Sequence, residues 1–131
     1  MYIKRLRLKN FRNYKEETIN FTPKTNILCG DNAQGKTNAL EAIYMFAFGK
    51  SFRTQQDRET ILIGEDYTKI DILYEDAHRE NNIEIIILKD RKKQIKINGV
   101  NIQRLSELLS KLSVVLFFPE ELGLIKEGPF V

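Results

Sequence analysis

Apolar positions recur with two different periods along the chain, and the places where the period changes mark its organisation. From Tyr2 to Lys9 they alternate, with Leu6 and Leu8 on one face and Arg5, Arg7 and Lys9 on the other, the pattern of a half-solvated strand. Residues 16–21, with Ile19 and Phe21, read as a second strand ended by Pro23, with a hairpin at Asn13-Tyr14-Lys15 between the two. Thr25-Asn26-Ile27-Leu28-Cys29 is a short run that predicts a buried strand. The period then becomes helical: Leu40, Ile43, Tyr44, Ala47 and Phe48 follow i, i+3, i+4, i+7 and i+8, and Gly49 stops the helix. Residues 50–59 are polar and predict a loop.

From Thr68 the period returns to two. Ile70, Ile72 and Tyr74 alternate with their neighbours, Ile83 to Leu88 is a β-branched run, and Ile95 and Ile97 alternate again before Asn98-Gly99, a strong two-residue hairpin signal. These strands predict an antiparallel meander with turns at 75–82 and 89–93. Leu105, Leu108, Leu109 and Leu112 restore helical spacing, and Ser113 to Phe118 reads as a buried strand. Pro119-Glu120-Glu121 then opens a last helix, with proline in the first turn and acids at its positive end, before Gly128-Pro129 stops it. The class is α/β. At 131 residues and 42% hydrophobic, the chain fills one core, so residues 1–131 are expected to form a single domain.

The stretch between the apolar run and the first helix carries the chemistry. Gly30-Asp31-Asn32-Ala33-Gln34-Gly35-Lys36-Thr37 fits G-x-x-x-x-G-K-[ST], the phosphate-binding P-loop, at every defined position. Glycines allow the backbone to turn tightly, so that successive N–H groups form a concave nest for phosphate oxygens. Lys36 supplies a point charge that bridges the β- and γ-phosphates, and the Thr37 hydroxyl is placed to hold Mg²⁺. A helix N-terminus behind the loop favours an anion as well. Strand, loop and helix fall in the required order, so ATP and Mg²⁺ are the expected ligands.

Charge and cysteine content narrow the picture without deciding it. Lys and Arg number 21 against 18 Asp and Glu, a net charge of +3, which permits an anionic partner without demanding one. A single cysteine excludes an internal disulfide, and no apolar run is long enough for a membrane span, so a cytoplasmic protein with no membrane partner is expected. Cys29 reads as a small buried residue and His78, the only histidine, as a turn residue.

A P-loop ATPase also needs a second strand that ends in an acid, and the candidates fail. Ile72-Leu73-Tyr74-Glu75 is interrupted upstream by Asp71, and Ile85-Ile86-Ile87-Leu88 meets Lys89 before Asp90. There is no Leu-Ser-Gly-Gly signature and no Asn-Lys-x-Asp guanine reader. The 131 residues are therefore expected to bind ATP and hardly hydrolyse it, with the catalytic residues unassigned. Glu120 and Glu121, at the end of the 114–118 strand, are the only local acids that could reach the γ-phosphate side through a metal-bound water, and helix capping is their expected role.

Several segments together carry a family resemblance. Leu6-x-Leu8-x-Asn10-Phe11-Arg12-Asn13-Tyr14, Asn26-Ile27-Leu28, the P-loop with Asn38, Glu41-Ala42-Ile43-Tyr44, Gly49-Lys50-Ser51-x-Arg53-Thr54 and Phe117-Phe118-Pro119-Glu120-Glu121-Leu122 resemble the N-terminal part of the RecF family of bacterial recombination mediators, within the wider group of SMC and Rad50 heads. Departures are mild: Ala39 and Thr60 stand where the family usually has Leu, Phe52 where it often has His, and Glu121 where it has Asp.

The resemblance implies a P-loop NTPase with an ABC-ATPase-like head, its P-loop strand and helix joined to an antiparallel β-meander. Family members continue into a helical lobe, a signature motif and an acidic strand, so a truncated head is expected. It implies a weak ABC-type ATPase in the full-length protein and an ATP-dependent homodimer. It also implies binding to single-stranded or gapped DNA, and loading of RecA together with RecO and RecR. By residue, Gly30 to Thr37 hold phosphates and Mg²⁺ with Asn38 just behind, and Arg12 either reaches the phosphates or is a surface hairpin arginine. Lys50, Arg53 and Arg58 line the site or a DNA groove, or else a solvated loop. Arg91-Lys92-Lys93 reads as a charged hairpin tip serving solubility. A transport ATPase head, with Phe11 or Tyr14 stacking on adenine, and a small P-loop kinase are the competing readings.

Overall fold

The computed structural model describes residues 2–21, 33–109 and 111, and for 33–36 the backbone alone. Strands β1 (Tyr2–Phe11), β2 (Tyr14–Asn20), β3 (Tyr67–Glu75), β4 (Glu80–Leu88), β5 (Gln94–Ile97) and β6 (Val100–Asn101) form one sheet in the order β2-β1-β3-β4-β5-β6. Every neighbouring pair is antiparallel. The N-terminal hairpin and the meander, read separately in the sequence, are thus one surface, joined where β1 pairs with β3. Register follows the alternation: Leu6 faces Ile72, Leu8 faces Ile70, and Ile70, Ile72, Ile83, Ile85 and Ile87 continue the same face across β3 and β4. A slip of one residue would turn this whole set to the solvent face, which is why the alternating pattern specifies the pairing.

The hairpin is tighter than expected. Phe11 pairs with Tyr14, so the turn is Arg12-Asn13, and Asn10 and Arg12 both take positive φ, 54° and 55°. The β3–β4 turn is also tighter, at 76–79, because the Asp76 carboxylate accepts the N–H groups of His78 and Arg79 at 2.8 and 2.9 Å. Those bonds hold the Asp76 carboxyl below its ordinary pKa. Asn98 and Gly99 take φ of 51° and 84°, the two left-handed residues of a type I′ turn.

Helix α1 (Ala33–Phe48) lies in the core. The expected stripe was too narrow: Ala39, Ala42, Met45 and Phe46 are buried beside Ile43 and Ala47, whereas Phe48 is 38% exposed. A helix buried on nearly all sides shows a weak periodic signal, so its burial is underread from spacing alone. Phe48 instead stacks at 4.5 Å on Tyr44, which also meets Phe52 edge-on. Sheet and helix residues form one contiguous apolar cluster, which Leu108 of α2 (Leu105–Leu109) joins. The polar stretch after α1 is more ordered than a loop: Asp57–Thr60 is a 3₁₀ turn, and beyond it Phe11 bridges Ile61. The expected strands at 25–29 and 113–118, Leu112 and the last helix lie outside the described residues.

Gly49 ends α1 with φ of 77° and donates its N–H to the Met45 carbonyl at 2.7 Å. A Cβ there would meet Leu105 Cδ1 at 2.4 Å, but that is the tip of a half-exposed, flexible side chain that can swing away. The backbone conformation therefore dominates the cost. Gly49→Ala is expected to destabilise the chain by about 1–2 kcal/mol and Gly49→Asn by less, read by urea unfolding. Equal losses for both variants would show that the steric contact dominates.

Candidate nucleotide-binding site

Helix α1 begins at Ala33, so the backbone of the second half of the P-loop is already helical and Lys36 and Thr37 belong to the opening turns. Gly30, Asp31 and Asn32 lie outside the described residues, as does Cys29. The first four N–H groups of a helix have no acceptor within it, and together with the helix dipole they favour an anion. Thr37 and Asn38, which follow at once, are both buried.

One turn further on, Glu41 is 0% exposed, and its carboxylate gathers the surrounding elements. Arg12 grips it with both sides of its fork, Nε to Oε1 at 2.9 Å and Nη2 to Oε2 at 2.5 Å. Arg53 Nη1 donates to Oε1 at 3.1 Å, and the Ser51 hydroxyl donates to Oε2. A buried carboxylate needs such partners, because a charge taken out of water is costly until it is paired and hydrogen-bonded. The two arginines are themselves largely covered, at 15% and 23% side-chain exposure.

The chain is shaped locally to deliver these donors. Arg12 sits in the hairpin turn, where its own N–H donates to the Thr60 carbonyl at 2.7 Å and its Nη1 donates to the Glu59 carbonyl at 3.1 Å. Those bonds hold a left-handed conformation that arginine rarely adopts. Ser51 Oγ accepts the N–H groups of Arg53 and Thr54 at 2.9 and 3.3 Å, which curls the segment so that Arg53 turns back onto α1. Asn38 ties the remaining corner: its Nδ2 donates to Asn13 Oδ1 at 2.8 Å and its Oδ1 accepts from Arg53 Nη1 at 2.6 Å.

The sequence-predicted residues are thus partly brought together. Asn38, Arg12 and Arg53 meet around Glu41, while Lys50 and Arg58 are exposed. Arg91 and Lys92 are exposed as expected, but Lys93 turns inward, its Nζ donating to the Gly49 carbonyl at 2.5 Å and pairing with Asp57 at 2.8 Å. Phe11 is fully buried, which removes it as an adenine-stacking ring, and Tyr14 packs against the core. His78 is an exposed turn residue. Glu120 and Glu121 lie outside the described residues, and among the described residues no cluster of His, Cys, Asp and Glu could hold a metal ion. Among them, too, no helix is long and apolar enough to cross a membrane. Glu41 and Ser51 are the site residues that sequence reasoning missed; the available signal was an acid set among apolar helix positions.

Residues 1–118 match the family described as AAA ATPase domain. The chain is similar to the DNA replication and repair protein RecF of Clostridium kluyveri, 51% identical over 131 residues, which is 98% of this chain and 35% of that protein. It therefore spans about a third of the length of the curated relatives it matches. A solved structure of the recombination mediator protein RecF with ATP, in the RecFOR pathway, aligns with a TM-score of 0.83 and 37% identity over 98% of this chain and 36% of that one. An SMC ATPase structure aligns with a TM-score of 0.72 and 25% identity, over 83% of this chain and 76% of that one. The fold is that of a P-loop ATPase head of the RecF and SMC kind.

Replacing Glu41 by Gln leaves two arginines facing a neutral amide in a covered position. Breaking a buried charge pair costs about 3–5 kcal/mol, so Glu41→Gln is expected to lower the melting temperature by roughly 10–20 °C. A thermal melt that is unchanged would mean the pair is spent on something other than stability.

Proposed function

The chain belongs to the AAA ATPase domain family, and from that premise we propose that it is the ATP-binding domain of a recombination mediator acting in DNA replication and repair. The observation that carries this reading is the position of the P-loop residues Lys36 and Thr37 in the opening turns of α1, at a helix N-terminus, whose dipole and first N–H groups favour an anion. Gly30 to Thr37, with Asn38 behind them, would hold the polyphosphate, and Thr37 would contribute its hydroxyl to Mg²⁺. Bound there, the ion neutralises charge on the phosphate oxygens. Arg12, fixed beside the same helix, is the candidate for a further phosphate contact.

The kinship with RecF proteins supports the wider assignment. The full-length protein would bind single-stranded or gapped DNA, form an ATP-dependent homodimer, and act with RecO and RecR in the cytoplasm to load RecA. Its ATPase would be weak. In-line phosphoryl transfer needs a positioned water and stabilisation of γ-phosphate charge, of which a P-loop provides only the cradle and part of the metal shell.

Titration calorimetry of the chain with ATP and Mg²⁺ tests the site. Lys36→Ala removes a charge-assisted phosphate contact of about 1.5–3 kcal/mol and is expected to weaken binding tenfold or more. Equal affinity for wild type and variant would sink the assignment.

DNA binding by these residues is expected to be weak, blind to sequence and steeply salt-dependent. Arg58, Lys89, Arg91 and Lys92 are exposed cations with no base-reading element beside them. Fluorescence anisotropy at two salt concentrations checks this, and tight binding that persists at the higher salt would reveal a specific site.

A further inference from the structure

We propose that Glu41 is a positioning residue for the nucleotide and acts through Arg12, an inference that rests on the P-loop reading above. Helical side chains lean toward the N-terminus, so the Glu41 carboxylate lies over the turn that carries Thr37 and Asn38. The bond from Arg53 to Asn38 Oδ1 fits that placement, since the same Nη1 also reaches Glu41. Arg12 is thereby held at the opening turns of α1 by a residue outside the P-loop.

Three features distinguish this arrangement from an ordinary buried ion pair. Both Glu41 oxygens and the Glu59 carbonyl fix the Arg12 guanidinium in plane and direction. Among the described residues three of its five N–H donors are engaged, in these bonds, which leaves one on each terminal nitrogen without a partner there. Finally, two guanidinium groups share one carboxylate, and among the described residues no other carboxylate pairs with either, so the cluster carries one positive charge in excess. A largely covered excess cation with further donors on its terminal nitrogens is suited to a phosphate group, which accepts hydrogen bonds and supplies the missing charge.

The test is a double-mutant cycle on ATP affinity, measured by calorimetry well below the melting range. Glu41→Asp keeps the charge and withdraws the carboxylate by one methylene, while Arg12→Met removes the phosphate contact. Each is expected to weaken ATP binding on the order of tenfold, and the double variant is expected to be no weaker than Arg12→Met alone, because both lose the same contact. A merely structural Glu41 would lower the melting temperature of Glu41→Asp and leave its ATP affinity intact.

Unchanged ATP affinity in either single variant, or single effects that multiply in the double, overturns the proposal. Should Glu41→Asp not fold, Ser51→Ala takes its place in the cycle. It deletes only the hydroxyl bonded to Oε2 and is expected to weaken ATP binding severalfold in wild type and not at all beside Arg12→Met. Lys36→Ala, run in parallel, separates the two readings. No loss in that variant means that the P-loop reading has failed. A loss there with none in Glu41→Asp means that positioning alone has failed.

Discussion

The charge cluster at Glu41 is the constraint on which the rest of the described structure depends. One carboxylate on α1 binds the hairpin turn through Arg12 and the segment after the helix through Ser51 and Arg53. The hairpin turn and α1 already share the apolar cluster that holds Phe11, Ala42 and Phe46. Apolar contact is non-directional and tolerates sliding, whereas a forked arginine on a carboxylate does not. The cluster therefore adds a directional tie between the hairpin and the helix that opens in the P-loop to the apolar contact they share.

The sheet has a different logic, resting on repetition. Leu6 and Leu8 on β1, Ile70 and Ile72 on β3, and Ile83 and Ile85 on β4 stand side by side because each strand alternates, so a shifted register would expose this apolar set. The outer face mixes half-buried apolar residues, Leu73, Ile86 and Leu88 among them, with cross-strand charge pairs such as Lys69 with Glu84 and the more distant Arg7 with Asp71. Those pairs are exposed on at least one side and add little beyond what the alternation already dictates.

This contrast explains what was legible in the sequence. The strands of the meander, the Asn98-Gly99 turn, the stop at Gly49 and the helix behind the P-loop all follow from period and from residues with special backbone freedom, which are local signals. The joining of β1 to β3 was not legible, since nothing in either strand names its partner. Nor was Glu41, because an acid within a helical run reads as solvent-facing until its partners are known, and those partners lie 29 residues before it and 10 and 12 residues after it. The sequence leaves Arg12 open between phosphate and surface, because the neighbour that defines its surroundings, Glu41, lies 29 residues away. Lys93 was misread for the same reason: its bonds to Gly49 and Asp57 depend on the meander folding back over the end of α1.

That last contact has a consequence for how this part of the chain can change. Turns between strands ordinarily absorb insertions and deletions, because they are solvated and their lengths are thermodynamically cheap to alter. The segment 76–79 between β3 and β4 is such a place, its bonds confined to itself and to neighbouring residues. Residues 89–93 are not, since a lysine at their end must arrive at one carbonyl and one carboxylate on another element. Adding or removing a residue there shifts Lys93 out of reach of the helix terminus, and loosens the segment that carries Ser51 and Arg53. Of the two loops, the one richer in charge is the one whose length is fixed.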